Sequence, residues 1–136
     1  MPVKPAISAS TKLPSREGGR HPLLSDDQIE RLRAVISARI ARPLKLRDLA
    51  EAAGLSESYF VRAFKGSFGV TPYDYVLRER VALAQSLIRS SEAPLNEVAR
   101  RSGFPDARRM GRTFRRVTGH SPTSVIRRDE KGDGKR

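Results

Sequence analysis

Five arginines crowd into nine residues, Arg108, Arg109, Arg112, Arg115 and Arg116, and they concentrate the chemistry of this sequence. They lie in the stretch GFPDARRMGRTFRRVTGHSP, Gly103 to Pro122, whose apolar residues Met110, Phe114 and Val117 are spaced i, i+4, i+7. That spacing is what one buried face of an α-helix requires. At about 100° per residue from Met110, Arg108, Arg112 and Arg115 fall at roughly 160°, 200° and 140°, a single ridge facing away from the core. Arg109 and Arg116 flank the ridge on one side and Gly111 on the other. With only Asp106 nearby, such a ridge repels itself, so the chemistry it suits is binding an anionic partner. A charge run is usually just a solvated face, and what changes that reading is that the segment occurs twice.

Leu46 to Leu55 (LRDLAEAAGL) lies over Leu95 to Phe104 (LNEVARRSGF) at an offset of 49 in the sequence. Phe60, Arg62, Phe64, Lys65, Gly69 and Pro72 then match Met110, Arg112, Phe114, Arg115, Gly119 and Pro122 at an offset of 50, so the second copy has one extra residue in its turn. Each copy reads as a short helix, a Gly-centred turn and a longer helix ended by Gly with Pro three residues on. This is the pattern of a helix-turn-helix unit, whose second helix can enter the DNA major groove. The fold class expected is therefore all-α, with two helix-turn-helix units joined by a long connecting helix, about seven helices in all.

Composition points the same way. The chain of 136 residues carries a formal charge of +12 and a pI near 11.1, which suits a polyanion, nucleic acid or an anionic membrane surface. Residues 92–136 hold twelve basic and six acidic side chains, half of the excess. With no cysteine, disulfides, thiolate metal sites and Cys nucleophiles are excluded. No apolar run nears 18 residues and no signal-peptide core is seen, so a cytoplasmic protein is expected, with no membrane partner.

The elements that must position the arginines follow in order. Residues 1–24 mix Pro2, Pro5, Pro14 and Pro22 with Ser, Gly and Lys and read as a disordered tail; Lys4, Lys12, Arg16 and Arg20 would let it touch DNA as an arm. Ser25-Asp26-Asp27 can cap a first helix with Ile29, Leu32, Val35, Ile36 and Ile40 on its apolar stripe and Arg31, Arg33 and Arg39 outside, stopped by Pro43. Leu44 to Ala53 is the next helix, with Leu46, Leu49, Ala50 and Ala53 inward, ended by Gly54. Ser56 then caps a helix through Ser67 with Phe60, Ala63, Phe64 and Ser67 inward and Ser58, Val61, Arg62 and Lys65 outward. Residues 72–90 read as one long helix with Tyr73, Val76, Leu77, Val81, Ala84, Leu87 and Ile88 recurring at three and four; Arg78, Glu79 and Gln85 lie on its outer face. Such a helix suits a spacer between two reading helices that must stand about 34 Å apart, one DNA turn. Pro94 begins the short helix through Ser102. Ser121 to Arg128 is a last helix carrying Val125 and Ile126, followed by the polar tail 129–136.

Residues 25–128 resemble the DNA-binding domain of the AraC family of bacterial transcription regulators, through the two units (44–72 and 94–122), the connecting helix (72–90) and the GFPDARRMGRTFRRVTGHSP block. The resemblance implies seven helices, of which the third and sixth enter successive major grooves, with the chain bound as a monomer. It implies base-facing positions at Ser58, Val61 and Arg62 in the first unit and Arg108, Arg109, Gly111 and Arg112 in the second, with Lys65, Arg115 and Arg116 also on the DNA side. Three residues depart from the family pattern. Met110 replaces Phe or Leu, a tolerable core change; Arg109 replaces an aromatic or histidine; Gly111 replaces Ser or Thr. Gly111 costs roughly 1 kcal/mol of helix stability and lets the backbone come close to DNA. Residues 1–24 are too few and too polar to form a sensing domain, so a stand-alone regulator is expected, an activator by resemblance, with double-stranded DNA as its partner, RNA polymerase as a protein partner, and no cofactor.

Other classes fit less well. The only histidines, His21 and His120, come without a carboxylate pair or phosphate loop, which argues against an enzyme. Sequence-reading RNA modules rely on aromatic platforms, whereas most aromatics here fall at core positions. The serious rival is a non-specific architectural DNA-binding protein.

Overall fold

Ser25 opens the first helix with reciprocal bonds: its Oγ accepts from the Gln28 amide at 3.1 Å while Gln28 Oε1 accepts from the Ser25 amide at 2.8 Å. Two of the helix's orphan donors are thereby satisfied. Gln28 Nε2 also donates to the Ala53 carbonyl at 2.9 Å, tying this start to the end of the next helix. The computed structural model describes residues 22–125, and its helices are α1 Asp26–Ala38, α2 Leu46–Ala53, α3 Glu57–Phe68, α4 Pro72–Ser90, α5 Leu95–Arg101 and α6 Ala107–Thr118. A helical turn at 122–125 makes seven, and no strand occurs among the described residues. The tail to residue 21, with Lys4, Lys12, Arg16, Arg20 and His21, and residues 126–136, with Ile126, lie outside the described residues.

The chain divides into two compact units between Val76 and Leu77, inside α4. The first is built on Leu32 and Ile36 of α1, Leu49, Ala50 and Ala53 of α2, and a cluster of four rings. Phe64 is the centre of that cluster: its ring lies 5.6 Å from Phe60, 4.2 Å and nearly parallel to Phe68, and 5.5 Å edge-on to Tyr75. Aromatic pairs at these separations add to what burial alone contributes. Ser67, buried beside them, accepts the Leu24 amide at 2.8 Å, so its hydroxyl has a partner away from water. The second unit is built on Leu77, Val81 and Ala84 of α4, Val98 and Ala99 of α5, and Phe104, Met110, Phe114 and Val125.

Several sequence expectations are corrected. α1 ends at Ala38, not at Pro43, because Arg39 already leaves helical geometry (φ −115°, ψ 23°). Arg39 is drawn partly inward, its guanidinium 3.7 Å from the Asp48 carboxylate. α2 begins at Leu46 because the Asp48 carboxylate accepts from the Lys45 amide at 3.1 Å and fixes the first turn there. Leu46, expected inside, is consequently exposed at this end, and Leu44 in the preceding segment packs against the core instead. In α4, Tyr73 is 73% exposed and Tyr75 is 2% exposed, the reverse of the expected stripe. Tyr75 is the residue that meets the edges of Phe64 and Phe68. Arg78, Glu79 and Gln85 are half-buried; between Asp74 and Ile88 only Ser86 is exposed, since α4 supplies both cores and most of its girth is covered.

Candidate nucleic-acid interface

The two units present their longer helices through the same local devices. In each, the short helix closes on a left-handed glycine, Gly54 at φ 71° and Gly103 at φ 91°. The residue after it then donates back to the helix, Leu55 to the Ala50 carbonyl at 3.0 Å and Phe104 to the Ala99 carbonyl at 2.8 Å. This is the closure expected where glycine takes the left-handed conformation without a Cβ penalty. The longer helix is then capped by a side-chain oxygen, Ser56 Oγ accepting from the Tyr59 amide at 3.3 Å and Asp106 Oδ1 from the Arg109 amide at 2.8 Å. The capping role of Asp106 escaped the sequence reading, although an acidic residue three before an amide in the first turn is a recognisable signal. Both longer helices run for 12 residues.

Packing fixes which side of each helix is left outside. Met110 and Phe114 are fully buried and Val117 half-buried, as their spacing predicts, so the arginines of α6 are turned outward. Arg108, Arg109, Arg112, Arg115 and Arg116 are exposed and Gly111 is half-buried. Among the described residues, the side chains of Arg108, Arg109, Arg112 and Arg115 have no ion-pair partner, whereas Arg100 on α5 is engaged by Glu97. Arg115 and Arg116 sit in the last turn, where the helix dipole favours cations, and Asp106 sits at the positive end. Arg108, Arg112, Arg115 and Arg116 line an open groove of about 500 Å³ together with Ser121 and Thr123. A Cβ placed on Gly111 would meet nothing within 4 Å, so no intramolecular packing requires glycine there.

The outer face of α3 is sparser. Ser58, Arg62 and Lys65 are exposed and Val61 half-buried, which brings the four expected residues onto one face. One neighbour was missed. Tyr59 is 41% exposed, and the Arg62 guanidinium lies over its ring at 5.8 Å from the centroid. The i, i+3 spacing of an aromatic and an arginine was the available signal. Among the described residues no cluster of His, Asp or Glu is placed to hold a metal ion, and no helix is long and apolar enough to cross a membrane.

Two capped helix-turn-helix units, one of them presenting an arginine face, define a helical nucleic-acid-binding class of protein. The comparisons with known proteins then fix the family. A family model described as a helix-turn-helix domain matches residues 49–128. Among curated relatives, the probable transcriptional regulator LumQ of Photobacterium leiognathi is 36% identical over 106 residues, which cover 74% of this chain and 43% of that protein. The transcriptional activator RhaS of Escherichia coli O139:H28 is 33% identical over 101 residues, covering 74% of this chain and 36% of that one. Among solved structures, the DNA-binding domain of AdpA, a global transcriptional factor in complex with a target DNA, aligns with a TM-score of 0.69 at 29% identity, covering 75% of this chain and 91% of that one. The C-terminal domain of AraT, a response regulator from Geobacillus stearothermophilus, aligns with a TM-score of 0.70 at 28% identity, covering 76% and 86%. The chain belongs to the AraC-type helix-turn-helix family, a family of transcriptional regulators and not of enzymes. It spans 43% and 36% of the length of these two curated relatives.

Proposed function

We propose that this protein regulates transcription by binding a specific double-stranded DNA site as a monomer, with α3 and α6 entering two major grooves, and that it activates. The observation that carries the reading is the α6 face, whose exposed Arg108, Arg109, Arg112 and Arg115 lack ionic partners among the described residues. Arginine forks match both base edges and phosphates, which an unpaired helix face of this kind can exploit. The repeat supports a monomer, because one chain already holds two units and needs no symmetry mate. Activation is supported by relatives named as activators, RhaS and RhaR, and it makes RNA polymerase the protein partner in a nucleoid-associated role. The DNA-binding domain in this reading spans residues 25–128, with units at 44–72 and 94–122 and the connecting helix at 72–90. Ser58, Val61, Arg62, Arg108, Arg109, Gly111 and Arg112 face bases, and Lys65, Arg115 and Arg116 face phosphates.

Selection from a random DNA pool, followed by footprinting, tests this reading. An asymmetric site of about two turns, roughly 20 base pairs, bound by one chain is expected. Palindromic half-sites holding two chains would overturn the monomer, and no enrichment at all would favour a non-specific architectural protein. On the selected site, Arg112→Ala should cost about 1–3 kcal/mol and relax preference at one or two positions, whereas Lys65→Ala should weaken all sequences alike and flatten the salt dependence. The reverse pattern would mean that base and phosphate contacts are wrongly assigned.

Gly111 separates stability from binding. Because its Cβ position is open, Gly111→Ala should raise stability by about 1 kcal/mol, visible as a higher melting temperature, while weakening the selected site where the DNA approaches the bare backbone. A more stable variant that binds equally well would show that the gap is not used.

A further inference from the structure

We propose that Tyr59 is a positioning residue for DNA reading by the first unit: its ring holds the Arg62 guanidinium in place before DNA arrives. The inference rests on the reading above, in which Arg62 reads bases, and adds the device that fixes it.

The sequence places four aromatic residues where they fill the first core, Phe60, Phe64, Phe68 and Tyr75, each at most 3% exposed. Tyr59 is not one of them. It stands 41% exposed on the outer side of α3, next to Ser58 and one turn before Arg62, and takes no part in the ring cluster. An aromatic ring left in water contributes little to folding, so its service must be sought on the surface it occupies. What it touches is Arg62, whose guanidinium carbon lies 5.8 Å from the ring centroid. A cation over an aromatic face is attracted by the ring's quadrupole, and arginine's planar head stacks there more readily than lysine's ammonium.

The backbone beneath the pair is fixed as well. Ser56 Oγ accepts from the Tyr59 amide, so the residue that carries the ring is held at the first turn of the helix. Three residues on, Arg62 is on the same face and free to lie over the ring. Arginine side chains otherwise carry large rotamer freedom, which must be surrendered when two groups are ordered at an interface. A guanidinium already resting on Tyr59 has surrendered part of it.

The need for such a device is local to this unit. On α6 five exposed arginines share the outer face, so the loss of order in one is diluted among its neighbours. On α3 the exposed cations are Arg62 and Lys65 alone, and base reading falls to the single guanidinium. Tyr59 therefore raises the selectivity of the first half of the site without contacting the DNA bases itself.

The test uses the full chain, the selected DNA site and the same site altered at the base pair that Arg62→Ala ceases to discriminate. Tyr59→Ala should reduce the ratio of affinities for the two DNAs by about fivefold, Tyr59→Phe should retain the parent ratio, and Tyr59→Ala should add nothing in an Arg62→Ala background. Tyr59→Leu, which keeps apolar bulk without the ring, should behave as Tyr59→Ala, and melting curves should show all five variants, the double variant included, folded. If Arg62→Ala leaves every base preference intact, the base-reading role of Arg62 falls, and this proposal with it. If Arg62→Ala relaxes the preference but Tyr59→Ala does not, the positioning role alone is overturned. An equal loss in Tyr59→Phe would assign the effect to the hydroxyl, a uniform loss on both DNAs would make Tyr59 a general contact, and a further loss in the double variant would make it a reader in its own right; each overturns the proposal.

Discussion

Phe64→Ala should lose about 3–5 kcal/mol of folding stability, the largest effect expected of any single side-chain truncation in the first unit. The ring is fully buried and is the common neighbour of Phe60, Phe68 and Tyr75, so its removal strips a partner from three others at once. Small domains hold only about 0.05–0.15 kcal/mol per residue, so a loss of this size consumes most of what a unit of this length possesses. Urea denaturation followed by circular dichroism measures it directly. The chain has no tryptophan, which leaves the summed fluorescence of Tyr59, Tyr73 and buried Tyr75 as a second reporter. Phe64→Leu, which refills part of the space, should recover a substantial share of the loss. A cost below about 1 kcal/mol for the alanine variant would mean that the ring cluster is not what holds this unit.

The centrality of Phe64 was partly legible in the sequence, and the manner in which it was legible explains what was not. The helix-turn-helix repeat identifies itself through residues whose chemistry is local: Gly54, Gly69 and Gly119 adopt left-handed caps and Ser56 caps α3 because those types do so wherever a helix begins or ends. Met110 and Phe114 are inside because their spacing leaves no other apolar face. The failures arise where two nearby residues could each be the buried one, or where a helix end is displaced. Tyr73 and Tyr75 are equally apolar, and the period of α4 admits Tyr73; only the position of Phe64 and Phe68 decides for Tyr75. Phe68 escaped notice because Gly66 and Ser67 look like the end of a helix, yet α3 continues to it and stacks it on Phe64. Leu46 fits the stripe of α2 but stands at its first residue, where the side chain overhangs the core.

At the candidate site the same division holds. The outward direction of Arg108, Arg112 and Arg115 follows from the buried stripe behind them, and it was readable from period alone. The contact of Tyr59 with Arg62 was not, because an exposed tyrosine beside a phenylalanine that must be buried reads as spare apolar surface. The i, i+3 spacing permits the contact, but whether it forms depends on where one rotamer rests.

The connecting helix supplies the second large effect. α4 runs unbroken from Pro72 to Ser90, and its residues are shared out: Tyr75 and Val76 belong to the first core, Leu77, Val81 and Ala84 to the second. Ala82, half-buried, lies near the middle of it, where a proline interrupts that continuity. Ala82→Pro removes the amide that bonds to the carbonyl of Arg78 and sets the proline ring against that carbonyl, at a cost of roughly 3 kcal/mol or more. Alanine at the half-buried Arg78, Glu79 or Gln85 should cost less, since each keeps the helix itself intact. In the proposed reading, paired insertion into two grooves depends on this helix, whereas attraction to phosphates tolerates a loose geometry. Specific affinity should therefore fall further than non-specific affinity when both are measured at one salt concentration, after circular dichroism shows the helices of both units retained. If a folded Ala82→Pro protein kept its parent ratio of specific to non-specific binding, the two units would read DNA independently and α4 would serve only as a tether.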